Sequence, residues 1–299
     1  MCERIEMPRD DIAEFWRQTR QALDEVDPDP TLEEVEEKSG REYVTYRVVM
    51  ASYGGRRIRA WFSLPKQRAS NRPLPAVMTA PGYSGNKPIP VHLAVAGYAV
   101  LTLSPRAQGE IKAEWDLEYG TKLTYNLTDR GSYYYRGGYM DCVRGVAFLC
   151  SRPEVDATRV AMVGSQPGRR PDAGHVVAGP AAAATVSEQP FLCNYPISSR
   201  LTSNPYSELH DYQEAHPDER QGALATLEYF EPLNLADAVE CPILVNIGAL
   251  DDTCPCKTIM PVFERIPSEK AVVVYPNLGH GPCTDFNLQA MDWLRRHLD

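Results

Sequence analysis

Three residues of this 299-residue chain have the types and order needed for covalent acyl transfer: Ser165, Asp251 and His280. Ser165 lies in Gly164-Ser165-Gln166-Pro167-Gly168, directly after an apolar run at 160–163 and before a helix candidate. A serine hydroxyl is a poor nucleophile until a neighbouring base takes its proton. On a tight turn from strand into helix, that hydroxyl stands exposed at the edge of the sheet. The same turn aims the amide of the next residue, Gln166, at a developing oxyanion. Taken alone the pentapeptide is a weak signal, because Gly, Ser and Pro cluster in ordinary loops.

Two further residues strengthen it. Asp251 follows an apolar strand in Ile247-Gly248-Ala249-Leu250-Asp251-Asp252, and His280 follows the next one in Pro276-Asn277-Leu278-Gly279-His280-Gly281. Each could be innocent, Asp251 as a helix cap and His280 as a polar loop residue. Together they give the order Ser, Asp, His, each past the C-terminal end of a strand, which is the order of the α/β-hydrolase fold. His280 is then the base that activates Ser165 and the acid that releases the alcohol. Asp251 holds the imidazole in one tautomer and stabilises its charged form. Asp252 is the alternative acid. A second oxyanion donor is expected after an earlier strand, and Thr79-Ala80-Pro81-Gly82-Tyr83-Ser84-Gly85 fits, with the amide of Tyr83 facing the site; the alternative is a plain Pro-Gly turn.

The surrounding pattern supplies elements to position these residues. Ile12, Phe15, Trp16, Leu23 and Val26 fall on one face of a helix over 10–26, stopped by Asp27-Pro28-Asp29-Pro30. Runs at 43–49 and 58–64, separated by Tyr53-Gly54-Gly55, predict an antiparallel hairpin at one edge of a sheet. Apolar strands come next at 75–80, 98–103, 159–163, 242–247 and 271–275, with helices at 137–151, about 168–184, 257–266 and 285–298. Such alternation predicts a mostly parallel sheet covered by helices on both faces. We expect one α/β domain over 1–299, with an N-terminal helical extension over 1–40. A Tyr-rich helical insertion over 197–232 lies beside the strands' C-terminal ends. Tyr195, Pro196, Tyr206 and Tyr229 are candidates for stacking on a sugar, though packing aromatics are the simpler reading.

Composition narrows the function classes. Lys and Arg total 31 against 40 Asp and Glu, a net charge of −9, which argues against a nucleic-acid partner. No run approaches the roughly 20 apolar residues that span a bilayer. The polar start lacks the apolar core of a secretory signal, so a cytoplasmic enzyme is expected. The eight cysteines have no zinc-site spacing and read as free thiols. His210 and His216 are six residues apart and do not share a helix face, so no metal site is expected from them.

Several segments together resemble the acetyl xylan esterase / cephalosporin C deacetylase family of carbohydrate esterases. They are Phe15-Trp16, Arg56-Arg57-Ile58-Arg59-Ala60-Trp61, Pro81-Gly82-Tyr83-Ser84-Gly85, Arg106-Ala107-Gln108-Gly109, Gly164-Ser165-Gln166, Asp251 with Cys254-Pro255, and Gly279-His280. The most specific is Tyr133-Tyr134-Tyr135-Arg136-Gly137-Gly138-Tyr139-Met140-Asp141. The resemblance implies a deacetylase of sugars, oligosaccharides or antibiotic-like alcohols, with Tyr83 and Gln166 as oxyanion donors and no cofactor. It also implies a homo-oligomer, often a hexamer, with 111–130 as an insertion that helps assembly. An esterase or thioesterase for another acyl group, and a non-hydrolytic relative, are the alternatives.

The chain departs from the family pattern Gly-Gly-Ser-Gln-Gly-Gly, reading Val163-Gly164-Ser165-Gln166-Pro167-Gly168. Beyond it, Arg169-Arg170-Pro171-Asp172-Ala173-Gly174-His175 is a poor buried helix. One hypothesis is a local reading-frame slip: one choice of codons for Arg-Arg-Pro-Asp-Ala, CGG-CGG-CCT-GAC-GCT-G, read one base later gives Gly-Gly-Leu-Thr-Leu, a family-like helix start. The gene sequence separates a frame slip from a rearranged elbow.

Overall fold

Period-two alternation builds the centre of the molecule. In β4 (Leu74–Ala80), Ala76, Met78 and Ala80 face one apolar layer while Val77 faces the other. In β5 (Ala99–Ser104), Leu101 and Leu103 share the first layer and Val100 the second. Strands buried on both faces need mostly apolar side chains, which is why these runs are nearly continuous in sequence; the buried Thr79 donates its hydroxyl to Thr102 Oγ1 of the neighbouring strand. The computed structural model describes residues 9–67, 72–83, 88–114, 121–165, 182–202 and 205–299, with the backbone alone at positions 9, 113, 114 and 165.

The sheet has nine strands in the order β1-β2-β3-β5-β4-β6-β7-β8-β9. The remaining strands are β1 (Thr31–Glu34), β2 (Tyr43–Ala51), β3 (Arg57–Pro65), β6 (Val155–Ser165), β7 (Ala184–Glu188), β8 (Ile243–Gly248) and β9 (Lys270–Tyr275). The first three neighbour pairs, β1–β2, β2–β3 and β3–β5, are antiparallel; β5–β4, β4–β6, β6–β7, β7–β8 and β8–β9 are parallel. Helix α3 (Tyr134–Cys150) covers one face, with Val146, Phe148 and Leu149 in the layer beneath. Gly145 lets it approach closely, since a Cβ there would lie 2.6 Å from Met78 Sδ. Helices α2 (Val91–Val95) and α9 (Thr284–Leu298) cover the other face, α9 through Phe286, Trp293 and Leu294. No helix among the described residues is long and apolar enough to cross a membrane.

Helix α1 (Arg9–Asp24) carries Asp10 and Asp11 in its first turn, where they complement the helix dipole. Its buried face docks outward of the sheet. Trp16 Nε1–H donates to Tyr229 O at 2.9 Å, and Arg144 donates to Leu23 O and Val26 O, satisfying carbonyls at the helix end.

Between β7 and β8 lie α4 (Tyr195–Leu201), α5 (Ser207–Ala215), α6 (Arg220–Glu228) and α7 (Pro232–Leu235). Helix α8 (Cys256–Arg265) joins β8 to β9.

The structure corrects two expectations. The helix expected over about 168–184 cannot reach 184, because Ala184 opens β7; most of that segment lies outside the described residues. The N-terminal stretch to 40 is not wholly helical, since β1 pairs with β2 outside the predicted hairpin. A short strand with two glutamates suits an open edge. For the tyrosines the structure agrees with the simpler reading of packing: Tyr195, Tyr206 and Tyr229 are buried, with Phe191 4.4 Å from Tyr206 and Phe15 5.0 Å from Tyr229 between ring centroids.

Candidate active site

Parallel strands place their C-terminal ends along one edge of the sheet, and loops from that edge converge. Ser165 is the last residue of β6, the strand between β4 and β7, and its backbone pairs with Glu188. Tyr83 follows the adjacent strand β4, while Asp251 and His280 follow the neighbours β8 and β9. The fold thus brings all four to one edge from segments far apart in sequence. Gln166 and the side chain of Ser165 lie outside the described residues.

Asp251 and His280 meet directly. His280 Nδ1 lies 2.9 Å from Asp251 Oδ2 and 3.1 Å from Oδ1. Oδ1 also accepts the backbone N–H groups of Thr253 at 2.9 Å and Cys254 at 2.7 Å. Three donors therefore surround one carboxylate whose side chain is fully buried. Charge-assisted bonds of this kind are strong and fix the carboxylate's orientation. Asp252 is exposed and does not share this position. His280 Nε2, the nitrogen opposite the carboxylate, is buried and has no hydrogen-bond partner among the described residues. A buried ring nitrogen left open costs stability, and at this sheet edge it leaves an acceptor available to a proton donor.

The loop carrying His280 passes very close to β8. A Cβ on Gly248 would stand 2.4 Å from Leu278 O and 2.8 Å from Gly279 O, both backbone atoms that cannot rotate away. Gly248→Ala is therefore expected to cost about 1–3 kcal/mol and to lower turnover by displacing the His280 loop. Thermal denaturation and initial rates measured side by side check this; unchanged rates in the variant would refute it.

Cys254 sits beside the pair, and the metal-binding atoms of Asp251, Cys254 and His280 lie within 4.8 Å of one another. Burial, and after it the charge of Asp251, push the Cys254 thiol well above its ordinary range. A thiol held protonated is a poor nucleophile and a weak metal ligand. His210 is exposed beside Glu214 and His216 packs on Tyr212, so these two histidines do not form a site together.

The oxyanion-loop candidate is held by its side chain. The Tyr83 hydroxyl donates to Glu208 on α5, and Thr121 Oγ1 donates to the same carboxylate oxygen. Burial, then the bond to Glu208, raise the Tyr83 phenol far above its usual range, so it remains a donor. Lys122 Nζ lies 4.7 Å above the Tyr83 ring. Glu208 and Thr121 carry no local sequence signal for this role; only the fold juxtaposes them with Tyr83.

The signature segment 133–141 also has a physical reason. Arg106 reaches over α3 to Asp141, with Nε–Oδ2 and Nη2–Oδ1 distances of 2.8 Å. A Cβ on Gly137 would lie 1.9 Å from Arg106 Nη1, so only glycine leaves room for the guanidinium.

The acetyl xylan esterase (AXE1) family model matches residues 3–297. The chain belongs to the acetyl xylan esterase family. Among solved structures, the acetyl xylan esterase from Paenibacillus sp. R4 superposes with a TM-score of 0.87 at 28% identity, covering 96% of this chain and 95% of that one. Acetyl xylan esterase 1 from Thermoanaerobacterium sp. JW/SL YS485 shares the fold, with a TM-score of 0.86 at 24% identity over 99% of this chain and 100% of that one. The acetyl esterase Axe7A of Xylanibacter ruminicola is 26% identical over 189 residues, 63% of this chain and 42% of Axe7A, so the match spans less than half of that relative. The acetyl xylan esterase family and its α/β-hydrolase fold thus agree with the expectation drawn from the sequence.

Proposed function

We propose that the chain is a serine esterase that removes acetyl groups from hydroxyls of sugars, oligosaccharides or antibiotic-like alcohols. The observation that carries this reading is the Asp251–His280 pair, with its open Nε2, at the same sheet edge as Ser165. In the proposed reaction His280 takes the proton of the Ser165 hydroxyl as its oxygen attacks the acetyl carbonyl. The tetrahedral oxyanion receives the backbone N–H groups of Tyr83 and Gln166. The alcohol then leaves with the proton from His280, and water hydrolyses the acetyl-enzyme by the same route. Asp251 stabilises the imidazolium in both halves. No cofactor enters this scheme.

The test is mass-spectrometric mapping of a fluorophosphonate adduct, then hydrolysis of p-nitrophenyl esters of rising chain length and release of acetate from acetylated xylo-oligosaccharides. The expected result is an adduct on Ser165 and the highest kcat/KM for acetyl. Preference for long chains would refute the acetyl assignment. A folded protein that neither labels nor hydrolyses acetate esters would favour the non-hydrolytic reading suggested by the unusual residues 163–175.

A further inference from the structure

The loop that carries His280 meets the sheet from its β8 side, where Leu250 N–H donates to Leu278 O at 3.0 Å. Among the described residues β9 is the last strand of the sheet, and no strand pairs with its outer side. His280 stands between two glycines, and Gly281 has φ = 153°, a conformation other residues rarely adopt. Left to itself, such a Gly-His-Gly segment would sample many orientations of the imidazole.

A side chain from another strand end reaches this loop from the β8 side of β9. Gln189, one residue past β7, is 2% exposed. Its Nε2 donates to Gly279 O at 3.0 Å, and its Oε1 accepts from Gly281 N–H at 2.9 Å. One carboxamide therefore brackets His280, donor on one side and acceptor on the other, as the backbone of a neighbouring strand would.

Gln189 is itself fixed. Its N–H lies 2.7 Å from Asn246 Oδ1 and 3.2 Å from Asn246 O, and Asn246 is buried in β8, the strand that leads to Asp251. Its φ of +45° is unusual for a non-glycine residue and persists because these contacts over-determine it.

We propose that Gln189 is a positioning residue for His280. Its carboxamide ties the 279–281 backbone to β7 and β8, so the imidazole stays on Asp251 while presenting Nε2 towards the end of β6. The proposal rests on the triad reading of the proposed function, and Gln189 acts through the loop rather than on substrate.

Gln189→Met tests it, since methionine keeps the length of the side chain and removes both hydrogen bonds. Rates are normalised to active sites titrated to completion with a fluorophosphonate. The expected result is a fall in kcat per site of up to about 100-fold, with KM for p-nitrophenyl acetate within about two-fold of the parent. In proton NMR the downfield His280 Nδ1–H resonance should broaden or disappear. A variant with parental kcat per site, whatever its stability, would overturn the proposal, as would loss confined to KM. Should Gln189→Met not fold, hydrogen exchange on the wild type decides: a slowly exchanging Gly281 amide is expected, and exchange at the rate of an open loop overturns the clamp. Absence of any label on Ser165 in the wild type would instead sink the triad reading, which keeps the two failures distinct.

Discussion

Ser165→Ala is expected to reduce kcat for p-nitrophenyl acetate by about 10⁶-fold, and Asp251→Asn by about 10⁴-fold, with both proteins folded. The two losses differ because the groups fail differently. Alanine removes the nucleophile. Asparagine keeps the shape but changes the proton inventory around His280. The Oδ1 of Asp251 is held by the N–H groups of Thr253 and Cys254. An asparagine there must present its carbonyl to those two donors and turn its NH₂ towards His280. Nδ1 would then have to accept rather than donate, which places the ring proton on Nε2 and leaves no base for Ser165. Circular dichroism and initial rates on the purified variants check this. A modest loss in Asp251→Asn, tenfold or less, would mean that another group orients the imidazole.

Asp141→Ala is expected to lower stability by about 3–5 kcal/mol, the range for stranding a buried charge. Asp141 is completely buried, and its oxygens accept from Arg106 N, Nε and Nη2 and from Ser52 Oγ. Arg106 also donates to Tyr53 O, while its own carbonyl accepts from the Tyr134 hydroxyl at 2.6 Å. Removing the carboxylate leaves a guanidinium inside the protein with most of its bonds gone. A fall in Tm of about 5–8 °C is expected for a chain of this size. Replacing both partners together, Arg106→Met with Asp141→Leu, should cost clearly less than Asp141→Ala alone, because no charge is left unpaired. Differential scanning calorimetry on the single and double variants tests both statements. A double variant less stable than the single one would show that the pair itself, and not the stranded charge, dominates.

Much of this architecture is legible in the chain. Continuous apolar runs such as 98–103 and 242–247 announce buried parallel strands, and the order of Ser165, Asp251 and His280 places them at strand ends. Two strands escape. β7 opens in an alanine run, Ala181-Ala182-Ala183-Ala184, which favours helix by propensity; burial between β6 and β8 overrides that preference. β1 is short and acidic, and only its pairing with β2 makes it a strand. In the candidate site, Ser165, Asp251 and His280 have local signals, whereas Gln189 and Glu208 have none. Gln189 meets Gly279 and Gly281 across 90 and 92 residues, and Glu208 meets Tyr83 across 125. Gly137 is visible as part of a signature, but its reason is the path of Arg106, a fact of three dimensions.

The separation of the site over β4, β6, β7, β8 and β9 has a kinetic consequence. No hairpin or helix contains even two of Tyr83, Ser165, Asp251 and His280, and parallel neighbours can be joined only after long loops close. Each closure costs chain entropy before any contact rewards it, so such pairings form slowly. During refolding, helices and the β2–β3 hairpin can mature early without creating any part of a working constellation. On the proposed triad reading, enzymatic competence is expected to arise late in refolding and, because β9 lies at the sheet's edge, to be lost early when that edge frays.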